Sequence, residues 1–400
     1  MTKESPRAMQ VSLPEPSIEA RAASAALCEL IAAEITTAGG WIPFTRYMEL
    51  TLYSPGLGYY SGGSQKFGAA GDFITAPELT PLFAHTLAAQ AAQVMAGSTP
   101  QVLEVGAGRG VLAAEMLLEL ERLDSLPERY LILELSGELR ARQRDLILQL
   151  APHLAPRVAW LDALPTAFSG LVLGNEVLDA MPVALVEWCD GADAGKILER
   201  GVTVDAHGSL AWATRSARGT VLQAAQALAR EVPIAAPYVS EIGLAARVWM
   251  GEWGRILERG AVLLLDYGFP RAEYYFPQRS NGTLMCHYRH HAHDDPLWWP
   301  GLNDITAHVD FTAIAEAAFE AGLDVLGYTS QAQFLLNCGI TEILGRLPND
   351  AGQAFLTESR NVGKLISPNE MGELFKVLAL GRGLKEPLLG FARGDRLHAL

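Results

Sequence analysis

The sequence predicts an α/β protein with a largely parallel central sheet, a helical segment before it and a β-rich insertion within it. Short apolar runs alternate with helical stretches from Gln101 onward, as in chains of βαβ units. A glycine-rich turn follows the first of these runs, which is typical of sheets that bind nucleotide-like ligands at their strand ends. Hydrophobic residues make up 50% of the 400 residues and charged residues 19%, so the chain can bury a sizeable core.

Residues 1–95 are predicted to form a helical segment and a lid. Residues 18–38 have apolar side chains at helical spacing, and Gly39 and Gly40 follow them, as at many helix ends. The stretch Tyr53–Phe83, "YSPGLGYYSGGSQKFGAAGDFITAPELTPLF", is dense in Gly, Pro and aromatic residues. A loop of this length is commonly a lid over a binding site, although an ordinary Gly/Pro turn is the alternative. The lid residues predicted to face a ligand are Gly71, Asp72, Thr75 and Glu78.

The central sheet is assigned to residues 96–182 and 257–400, and the β-rich and helical insertion to residues 183–256. Strand-like runs joined by Gly and Asp turns extend from Val183 to Ala217 and lead into a helix that ends near Arg230. The predicted strands of the core are Val102–Val105, Tyr130–Leu133, Val158–Trp160, Leu171–Leu173, Ala261–Leu265, Asp324–Gln331 and, last, Leu388–Ala392.

Composition narrows the classes of partner. The formal charge of −14 disfavours binding to nucleic acid, because a polyanion needs a basic surface. The four cysteines form no CxxC pair, so neither a zinc site nor a disulfide framework is indicated. The N-terminus lacks the apolar core of a signal peptide, and no segment has the apolar length of a membrane span. We therefore expect a cytoplasmic protein that binds neither membranes nor nucleic acid.

The segment "QVLEVGAGRGVLAAEML" indicates the class of ligand. An apolar run leads into Gly106, Gly108 and Gly110, which let a ligand approach backbone N–H groups, and a helix begins near Val111. The spacing G-x-G-x-G lacks the small residue that the dinucleotide pattern G-x-G-x-x-G needs, and the Gly-Lys-Ser/Thr ending of a P-loop is missing. NAD, FAD and nucleoside triphosphates are therefore disfavoured.

Acidic residues near this turn favour S-adenosylmethionine as the cofactor. Glu104 precedes the turn, where a carboxylate suits the ammonium and sulfonium charges of that cofactor better than a pyrophosphate. Glu134 ends the second strand and is predicted to accept both ribose hydroxyls. Asp162 follows the third strand and could face the adenine amino group. Acids at strand ends also cap helices, and for Asp162 the two interpretations remain open.

The segment "LVLGNEVLDAMPV" places acids at the end of a buried strand. A carboxylate there is costly unless it faces a cation, a hydrogen-bond donor or water. If a helical turn begins at Val177, Glu176 and Asp179 face the same way and could bind a guanidinium in bidentate fashion beside the methyl donor. Asn175 is assigned to both the cofactor and the acceptor. The alternative is that Asp179 caps a helix or pairs with a structural arginine.

An aromatic and His-rich loop, Phe269 to Asp304, is predicted to shape the acceptor pocket. Tyr267 follows the fifth strand on the same edge of the sheet and could line the target side chain. His308 is the best candidate for a proton acceptor, because histidine titrates near neutrality, although a structural histidine fits equally well. The histidines lack an H-x-x-x-H spacing, so we predict no metal site.

Six separated segments carry a family resemblance. In order they are "SPGLGYYS", "FGAAGDFITAPELTPLF", "LEVGAGRGVLAAEML", "GNEVLDAMPV", "LLLDYGF" and "GTLMCHYRHHAHDDPLWWPGLNDITAHVDF". In these segments the chain resembles the MidA-type family of S-adenosylmethionine-dependent methyltransferases, which includes the mitochondrial assembly factor that dimethylates an arginine in a respiratory complex I subunit. The resemblance implies a Rossmann-like, seven-stranded methyltransferase core, a lid at residues 71–78 that folds over the cofactor, and "NEVLDA" beside the acceptor.

The sequence thus predicts an S-adenosylmethionine-dependent methyltransferase that acts on a protein side chain, with arginine nitrogen as the favoured acceptor. Two alternatives remain open: a small-molecule O- or N-methyltransferase, and a non-enzymatic assembly chaperone that retains the cofactor pocket. A closed apolar chamber favours a small molecule, whereas an open acidic groove favours a polypeptide. The expected partner is a protein substrate, and the insertion could support a homodimer.

Overall fold

The structure, a computed structural model, describes residues 13–62, 75–347 and 352–400. Within these ranges, none of the helices has the length and apolar character that a membrane span needs.

The strands are β1 (Ile42–Pro43), β2 (Gln101–Val105), β3 (Arg129–Leu133), β4 (Val158–Leu161), β5 (Phe168–Asn175), β6 (Ala184–Trp188), β7 (Ile197–Val204), β8 (Leu210–Ser216), β9 (Tyr238–Ile242), β10 (Leu257–Phe269), β11 (Met285–Tyr288), β12 (His291–His293), β13 (Asp304–Thr306), β14 (Val309–Asp310), β15 (Asp324–Ser330) and β16 (Phe375–Arg382). The α-helices are α1 (Ile18–Thr37), α2 (Phe44–Tyr53), α3 (Ala76–Leu79), α4 (Pro81–Gly97), α5 (Val111–Arg122), α6 (Gly137–Leu150), α7 (Gly219–Glu231), α8 (Leu244–Ile256), α9 (Arg271–Tyr274), α10 (Phe311–Glu320), α11 (Gln331–Asn337), α12 (Ile340–Leu344), α13 (Gly352–Ile366) and α14 (Met371–Leu374).

The central sheet has the strand order β15–β16–β10–β5–β2–β3–β4. The strands from β10 to β4 pair in parallel, whereas β16 is antiparallel to both of its neighbours. The short strand β14 pairs in parallel with the carboxyl end of β10. The prediction of an α/β fold with a Rossmann-like, seven-stranded core is confirmed. Because the parallel strands point the same way, the turns after β2, β3, β5 and β10 meet at one edge of the sheet.

Helices cover both faces of the central sheet, which explains why its strands are continuous apolar runs. One face packs against α4 and α5 around the fully buried Phe83 and Leu117. The other face packs against α8 and α10 around Trp253 and Phe311. The helix α8 therefore packs with the central sheet and leads into β10, although the sequence boundary of 183–256 placed it in the insertion.

The last strand lies earlier in the chain than predicted. The strand β16 is buried between β10 and β15 along nearly its whole length, and residues 377–380 form its apolar centre. The predicted strand Leu388–Ala392 is wrong, because Leu389–Phe391 is a single turn of 3-10 helix. Gly390 packs directly against the ring of Phe334, where a Cβ would collide with it. This segment therefore packs against the helix α11 and adds no strand to the sheet.

The insertion and the N-terminal segment together form a second, antiparallel sheet with the order β1–β7–β6–β9 and β8 beside β7. Ile42 of β1 pairs with Val202 of β7, and the helices α1 and α2 share a core with this sheet around Tyr47 and Leu185. A small sheet with the order β12–β11–β13 is formed by the late loop. The N-terminal helices and the insertion thus share one hydrophobic core beside the central sheet.

Candidate active site

A cavity of about 1200 Å³ lies at the carboxyl ends of the central strands. Ligand pockets usually measure about 300–1,000 Å³, so this cavity has room for a cofactor and part of an acceptor. Its walls come from the turn after β2, the turn after β5, the late loop and the N-terminal segment. The predicted site residues that line it are Thr75, Glu78, Glu104, Gly106, Gly108, Glu134, Asn175, Glu176, Asp179, Tyr267 and His308.

The glycine turn after β2 gives the cavity a wall of backbone. Gly106, Gly108 and Gly110 have φ angles of 65°, 52° and 87°, in the left-handed region that residues with a Cβ rarely adopt. Gly110 is the N-cap of α5, and a Cβ there would lie 3.2 Å from Gln143. Gly110 shapes the turn but is not among the residues that line the cavity. The first N–H groups of an α-helix have no partner within the helix, so those at the start of α5 suit an electron-rich ligand.

Gln143 on α6 ties the glycine turn to Glu134. Its Nε2 donates to the carbonyl oxygen of Gly108 at 2.9 Å and to Glu134 Oε2 at 3.1 Å. The indole N–H of Trp160 donates to Gln143 Oε1 at 2.8 Å, and the N–H of Ser136 donates to Glu134 Oε1 at 2.9 Å. Sequence reasoning missed Gln143, because a glutamine within a polar helix belongs to no recognisable motif.

Glu104 lies deeper in the cavity wall. Its side chain is 3% exposed, and Tyr130 Oη donates to its Oε2 at 2.6 Å. Burial raises the pKa of Glu104 to about 7; the hydrogen bond from Tyr130 opposes this rise, and the nearby Glu134 adds to it. The carboxyl group is therefore partly protonated near neutral pH, and a cationic ligand would favour its charged form.

Thr75 and Glu78 lie at the short helix α3, beside the glycine turn. Glu78 Oε2 is buried and has no hydrogen-bond partner among the described residues, while Arg109 Nη1 approaches it to 3.9 Å. Burial raises the pKa of Glu78, and the charge of Arg109 opposes the rise. A buried carboxylate oxygen without a partner is suited to receive a ligand donor. The predicted lid residues Gly71 and Asp72 lie outside the described residues.

Asp162 does not reach the cavity. Its side chain is 89% exposed and forms an ion pair with Arg140 at 2.6 Å. Arg140 also donates to the carbonyl oxygens of Glu134 and Leu161, so it fixes the backbone at the ends of β3 and β4. The structure thus gives Asp162 a surface ion pair beside these strand ends, and it does not place this residue with the other predicted cofactor residues.

The turn after β5 carries Asn175, Glu176 and Asp179. Glu176 has a φ of 53°, a conformation that costs energy for a residue with a Cβ and is typical of functional sites. Its N–H donates to the carbonyl oxygen of Leu265 at 2.8 Å, and Asn175 Nδ2 donates to Glu176 Oε1 at 3.0 Å. The helical turn expected from Val177 is not formed. The segment is instead an irregular turn whose N–H groups donate to a carboxylate of β10.

Three carboxyl groups, those of Glu176, Asp179 and Asp304, line the cavity between this turn and the late loop, a region we call the acceptor end. Burial raises the pKa of Glu176 to about 8, and the charges of Asp179 and Asp304 add to the rise. Burial raises the pKa of Asp179 to about 6, while an interaction with the Tyr267 hydroxyl opposes the rise. Asp179 Oδ1 is buried and lacks a hydrogen-bond partner in the described part of the chain. A cation at this end would favour the charged forms.

Asp304 on β13 is a site residue that sequence reasoning missed. It is 2% exposed and accepts a hydrogen bond from Tyr60 Oη at 2.8 Å. Tyr60 stacks on Tyr53 with ring centroids 5.5 Å apart, and Tyr53 Oη donates to the carbonyl oxygen of Ala180 at 2.8 Å. The sequence indicated this loop through its aromatic residues and histidines, so the acid at the end of the loop was not assigned to the acceptor.

Tyr267 and His308 form the wall next to these carboxyl groups. Their rings meet edge to face with centroids 5.1 Å apart, and His308 also contacts the ring of Phe269 at 5.3 Å. Burial lowers the pKa of His308 to about 4, and the charges of Arg279 and Lys376 lower it further. The imidazole is therefore neutral at pH 7 and accepts protons weakly, which disfavours His308 as the main base.

Glu241 on β9 of the insertion holds a segment that lines the cavity. This buried carboxylate accepts the N–H groups of Thr283 and Leu284 at 3.0 and 3.1 Å and the hydroxyl of Tyr274 at 3.1 Å. Thr283 Oγ1 in turn accepts the N–H of His308 at 3.0 Å. Thr283 and its neighbours line the acceptor end, so the insertion supports one wall of the site.

The residues of this cavity fit the predicted cofactor. The glycine turn allows close approach of a nucleoside, and Glu134 is held at the end of β3 where a ribose would be received. The oxygens Glu78 Oε2 and Asn175 Oδ1 are buried and lack hydrogen-bond partners within the described ranges, which suits the ammonium group and polar edges of S-adenosylmethionine. With the cofactor bound, these residues would hold its nucleoside and its amino-acid end.

Comparison with known proteins agrees with this site. A family model described as "Putative S-adenosyl-L-methionine-dependent methyltransferase" matches residues 82–329. A crystal structure of a Burkholderia thailandensis protein bound to S-adenosyl-homocysteine is similar, with a TM-score of 0.92 and 53% identity over 97% of this chain and 100% of that one. The Drosophila melanogaster "Protein arginine methyltransferase NDUFAF7 homolog, mitochondrial" is 28% identical, covering 95% of this chain and 91% of its own length.

The Mus musculus "Protein arginine methyltransferase NDUFAF7, mitochondrial" is also 28% identical, over 85% of this chain and 81% of its own length. The family match covers more than half of the chain and includes the glycine turn, the turn after β5 and the whole of the late loop. The resemblance noted in the sequence is thereby confirmed. The chain belongs to the MidA-type family of S-adenosylmethionine-dependent methyltransferases, and its cofactor is S-adenosylmethionine.

Proposed function

We propose that the protein transfers methyl groups from S-adenosylmethionine to an arginine nitrogen of a protein substrate. The observation that carries this proposal is the pair Glu176 and Asp179, two carboxyl groups beside the cofactor turn, of which Asp179 has a buried oxygen without a partner in the described chain. A guanidinium offers five N–H donors and a permanent positive charge, and carboxylates bind it in bidentate fashion. A neutral hydroxyl acceptor would bring no counter-charge to the acceptor end.

The electrostatics of the acceptor end support a cationic acceptor. The pKa of Glu176 is raised to about 8 and that of Asp179 to about 6, by burial and, for Glu176, by repulsion from its neighbours. A bound guanidinium opposes both the effect of burial and the repulsion between the acids. Its charge-assisted hydrogen bonds replace the lost hydration, and its positive charge offsets the negative charges. The fly and mouse relatives, which are named protein arginine methyltransferases, support the same acceptor.

In this function the chain positions the acceptor and removes water. S-adenosylmethionine, when bound, supplies an electrophilic methyl group. Glu176 and Asp179 would hold the guanidinium so that one nitrogen faces the cofactor, and the aromatic wall of Tyr60 and Tyr267 would exclude water. The nitrogen that receives the methyl group must release one proton, and a carboxylate of Glu176 or Asp179 is available to take it.

Isotopic labelling tests the proposal. The purified protein is incubated with methyl-labelled S-adenosylmethionine and a cell lysate, and the labelled product is located by tandem mass spectrometry. We expect the label on a side-chain nitrogen of arginine in a protein. Label in small molecules alone, or on another kind of residue, would reject arginine as the acceptor. Cofactor binding without any transfer would support the assembly chaperone instead.

Matched variants test whether Glu176 and Asp179 take part in methyl transfer. Glu176→Gln and Asp179→Asn should each lower labelling about 100-fold or more, as the loss of a group that stabilises reacting charge usually does, while the dissociation constant of the cofactor stays within about twofold. Glu199→Gln serves as the control, because Glu199 is a half-buried acid on β7 that does not line the cavity. This control should label the acceptor as the wild type does.

A further inference from the structure

One buried carboxylate, that of Asp266 on β10, is bonded to the backbone of the turn after β5. Its Oδ2 accepts the N–H groups of Val177, Leu178 and Asp179 at 3.1, 2.8 and 3.3 Å. Its Oδ1 accepts the N–H of Tyr267 at 3.0 Å. Asp266 is 1% exposed and is not among the residues that line the cavity. It therefore touches the residues of the acceptor end without facing the ligand itself.

These bonds fix the part of the chain that carries Glu176 and Asp179. Glu176 holds a left-handed φ of 53°, which the chain keeps only where its surroundings enforce it. Its N–H is bound by Leu265, the residue before Asp266, and the three N–H groups that follow Glu176 are bound by Asp266 itself. On the other side, the carbonyl oxygen of Asp179 accepts the N–H of Ala307 at 3.0 Å. The turn is thus held from both of its flanks.

We propose that Asp266 is a positioning residue for methyl transfer, which holds the Glu176–Asp179 turn in the conformation that presents both acids to the acceptor. The inference rests on the proposed role of Glu176 and Asp179. It differs from a purely structural role because an anion is a costly cap at this place: burial raises the pKa of Asp266, and the charges of Asp179 and Glu176 add to the rise. Four N–H groups offset this cost and orient the turn at the same time.

An amide cannot replace this carboxylate. Both oxygens of Asp266 accept N–H bonds, so an asparagine in either orientation points its NH₂ group at another N–H donor. The oxygen of the amide is expected to face the three donors of the turn, and its nitrogen then repels the N–H of Tyr267. The turn and Tyr267 would shift relative to each other, whereas the hydrogen bond from Gln143 that holds the glycine turn does not involve Asp266.

The test compares Asp266→Asn with Asp310→Asn. Asp310 is a matched control, because its carboxylate also caps backbone, accepting the N–H of Ala313 at 3.1 Å at the start of α10, and it does not line the large cavity. For each variant we would measure the unfolding temperature, the dissociation constant of S-adenosylmethionine, and kcat and KM for the labelled acceptor. For Asp266→Asn we expect kcat to fall about 10- to 100-fold, as for the loss of an orienting partner, with a cofactor constant within about twofold.

The control separates positioning from stability. Asp310→Asn should lower the unfolding temperature and leave kcat within about twofold. The double variant Asp266→Asn with Glu176→Gln should be no slower than Glu176→Gln alone, because residues that act through one another are not additive. Where Asp266→Asn does not fold, Asp266→Glu keeps the charge and displaces the turn, and it should show the same loss of kcat.

Two results would overturn the inference: a folded Asp266 variant with wild-type kcat and KM, or a loss that multiplies fully with that of Glu176→Gln. The labelled residue of the wild type reports separately on the proposed function. If the wild type methylates a residue other than arginine, that acceptor serves for the same comparison, and the role of Asp266 is judged by its own kinetic result.

Discussion

Glu176 is placed so that its charge depends on what else occupies the cavity. Burial and the neighbouring acids raise its pKa to about 8, so in the protein alone this residue is largely protonated at neutral pH. A bound cation favours the carboxylate, and binding of the acceptor then releases a proton. At the scale of the residue, the affinity for a cationic acceptor should therefore rise with pH until Glu176 is ionised.

The pH profile of kcat/KM for the acceptor tests this coupling. We expect kcat/KM to rise with pH and to level off near pH 8, because the enzyme must lose the proton of Glu176 before it binds the cationic acceptor. In Glu176→Gln the residual activity should follow Asp179 instead, with a limb near pH 6. If kcat/KM rises over the same pH range in the wild type and in Glu176→Gln, Glu176 does not titrate in the reaction.

The stability of the ligand-free protein should depend on pH in the opposite direction to the acceptor affinity. Because the pKa of Glu176 in the folded protein, about 8, exceeds its ordinary value of 4.5, the folded state binds more protons between these two values, and stability falls as the pH rises through this window. We expect the free energy of unfolding to decrease by on the order of 4 kcal/mol from pH 5 to pH 8.5 because of this residue. Denaturant unfolding of Glu176→Gln should show a weaker pH dependence, and an unchanged one would contradict the shift.

At the scale of elements, two strands of different sheets hold the segments that line the acceptor end of the cavity. The strand β10 supplies Asp266 to the turn after β5, and β9 of the insertion sheet supplies Glu241 to the segment around Thr283. Both carboxylates are buried and accept hydrogen bonds from backbone N–H groups. Each therefore holds the backbone of a neighbouring segment through hydrogen bonds in addition to packing. The insertion therefore contributes to the acceptor site. A change in its contact with the segment around Thr283 should affect the KM of the acceptor more than the dissociation constant of the cofactor.

Two glycines with nearly the same backbone test this contribution. Gly282 and Gly208 have φ angles of 78° and 83°, so an alanine at either position costs roughly 1–2 kcal/mol of stability. A Cβ on Gly282 would also collide with Glu241, whereas none of the atoms around Gly208 lies within 4 Å of its added Cβ. We expect Gly282→Ala to raise the acceptor KM about tenfold with an unchanged cofactor constant, and Gly208→Ala to leave both constants unchanged. Equal kinetics in the two variants would contradict the role of Glu241.

At the scale of the whole molecule, the sequence predicts those features that depend on local pattern. The apolar runs, the glycine turn and the acids at strand ends lead to the sheet and to most of the cavity wall, because parallel strands bring their carboxyl ends together. Gln143, Glu241 and Asp304 were missed, since their roles arise from tertiary contacts between distant segments. Asp162 follows the same strand-end logic but lies in solvent beside Arg140.

The misplaced last strand has a similar cause. The strand β16 lies between β10 and β15, second from one edge of the sheet and antiparallel to both neighbours. Nothing in an apolar run specifies this antiparallel position in a mostly parallel sheet. The run near Leu388 is also apolar, but it packs outside the sheet, with Gly390 against the ring of Phe334. Local pattern thus indicates which segments are buried, whereas the partners of each segment depend on the whole chain.

The most direct test of the account is a crystal structure of the protein with S-adenosyl-homocysteine and the acceptor peptide found by labelling. We expect the sulfur beside the turn of Gly106 to Gly110, and an arginine guanidinium whose nitrogens lie about 2.7–2.9 Å from carboxylate oxygens of Glu176 and Asp179. An acceptor that binds with these two carboxylates turned away from it, or with a residue other than arginine facing the sulfur, would contradict the account.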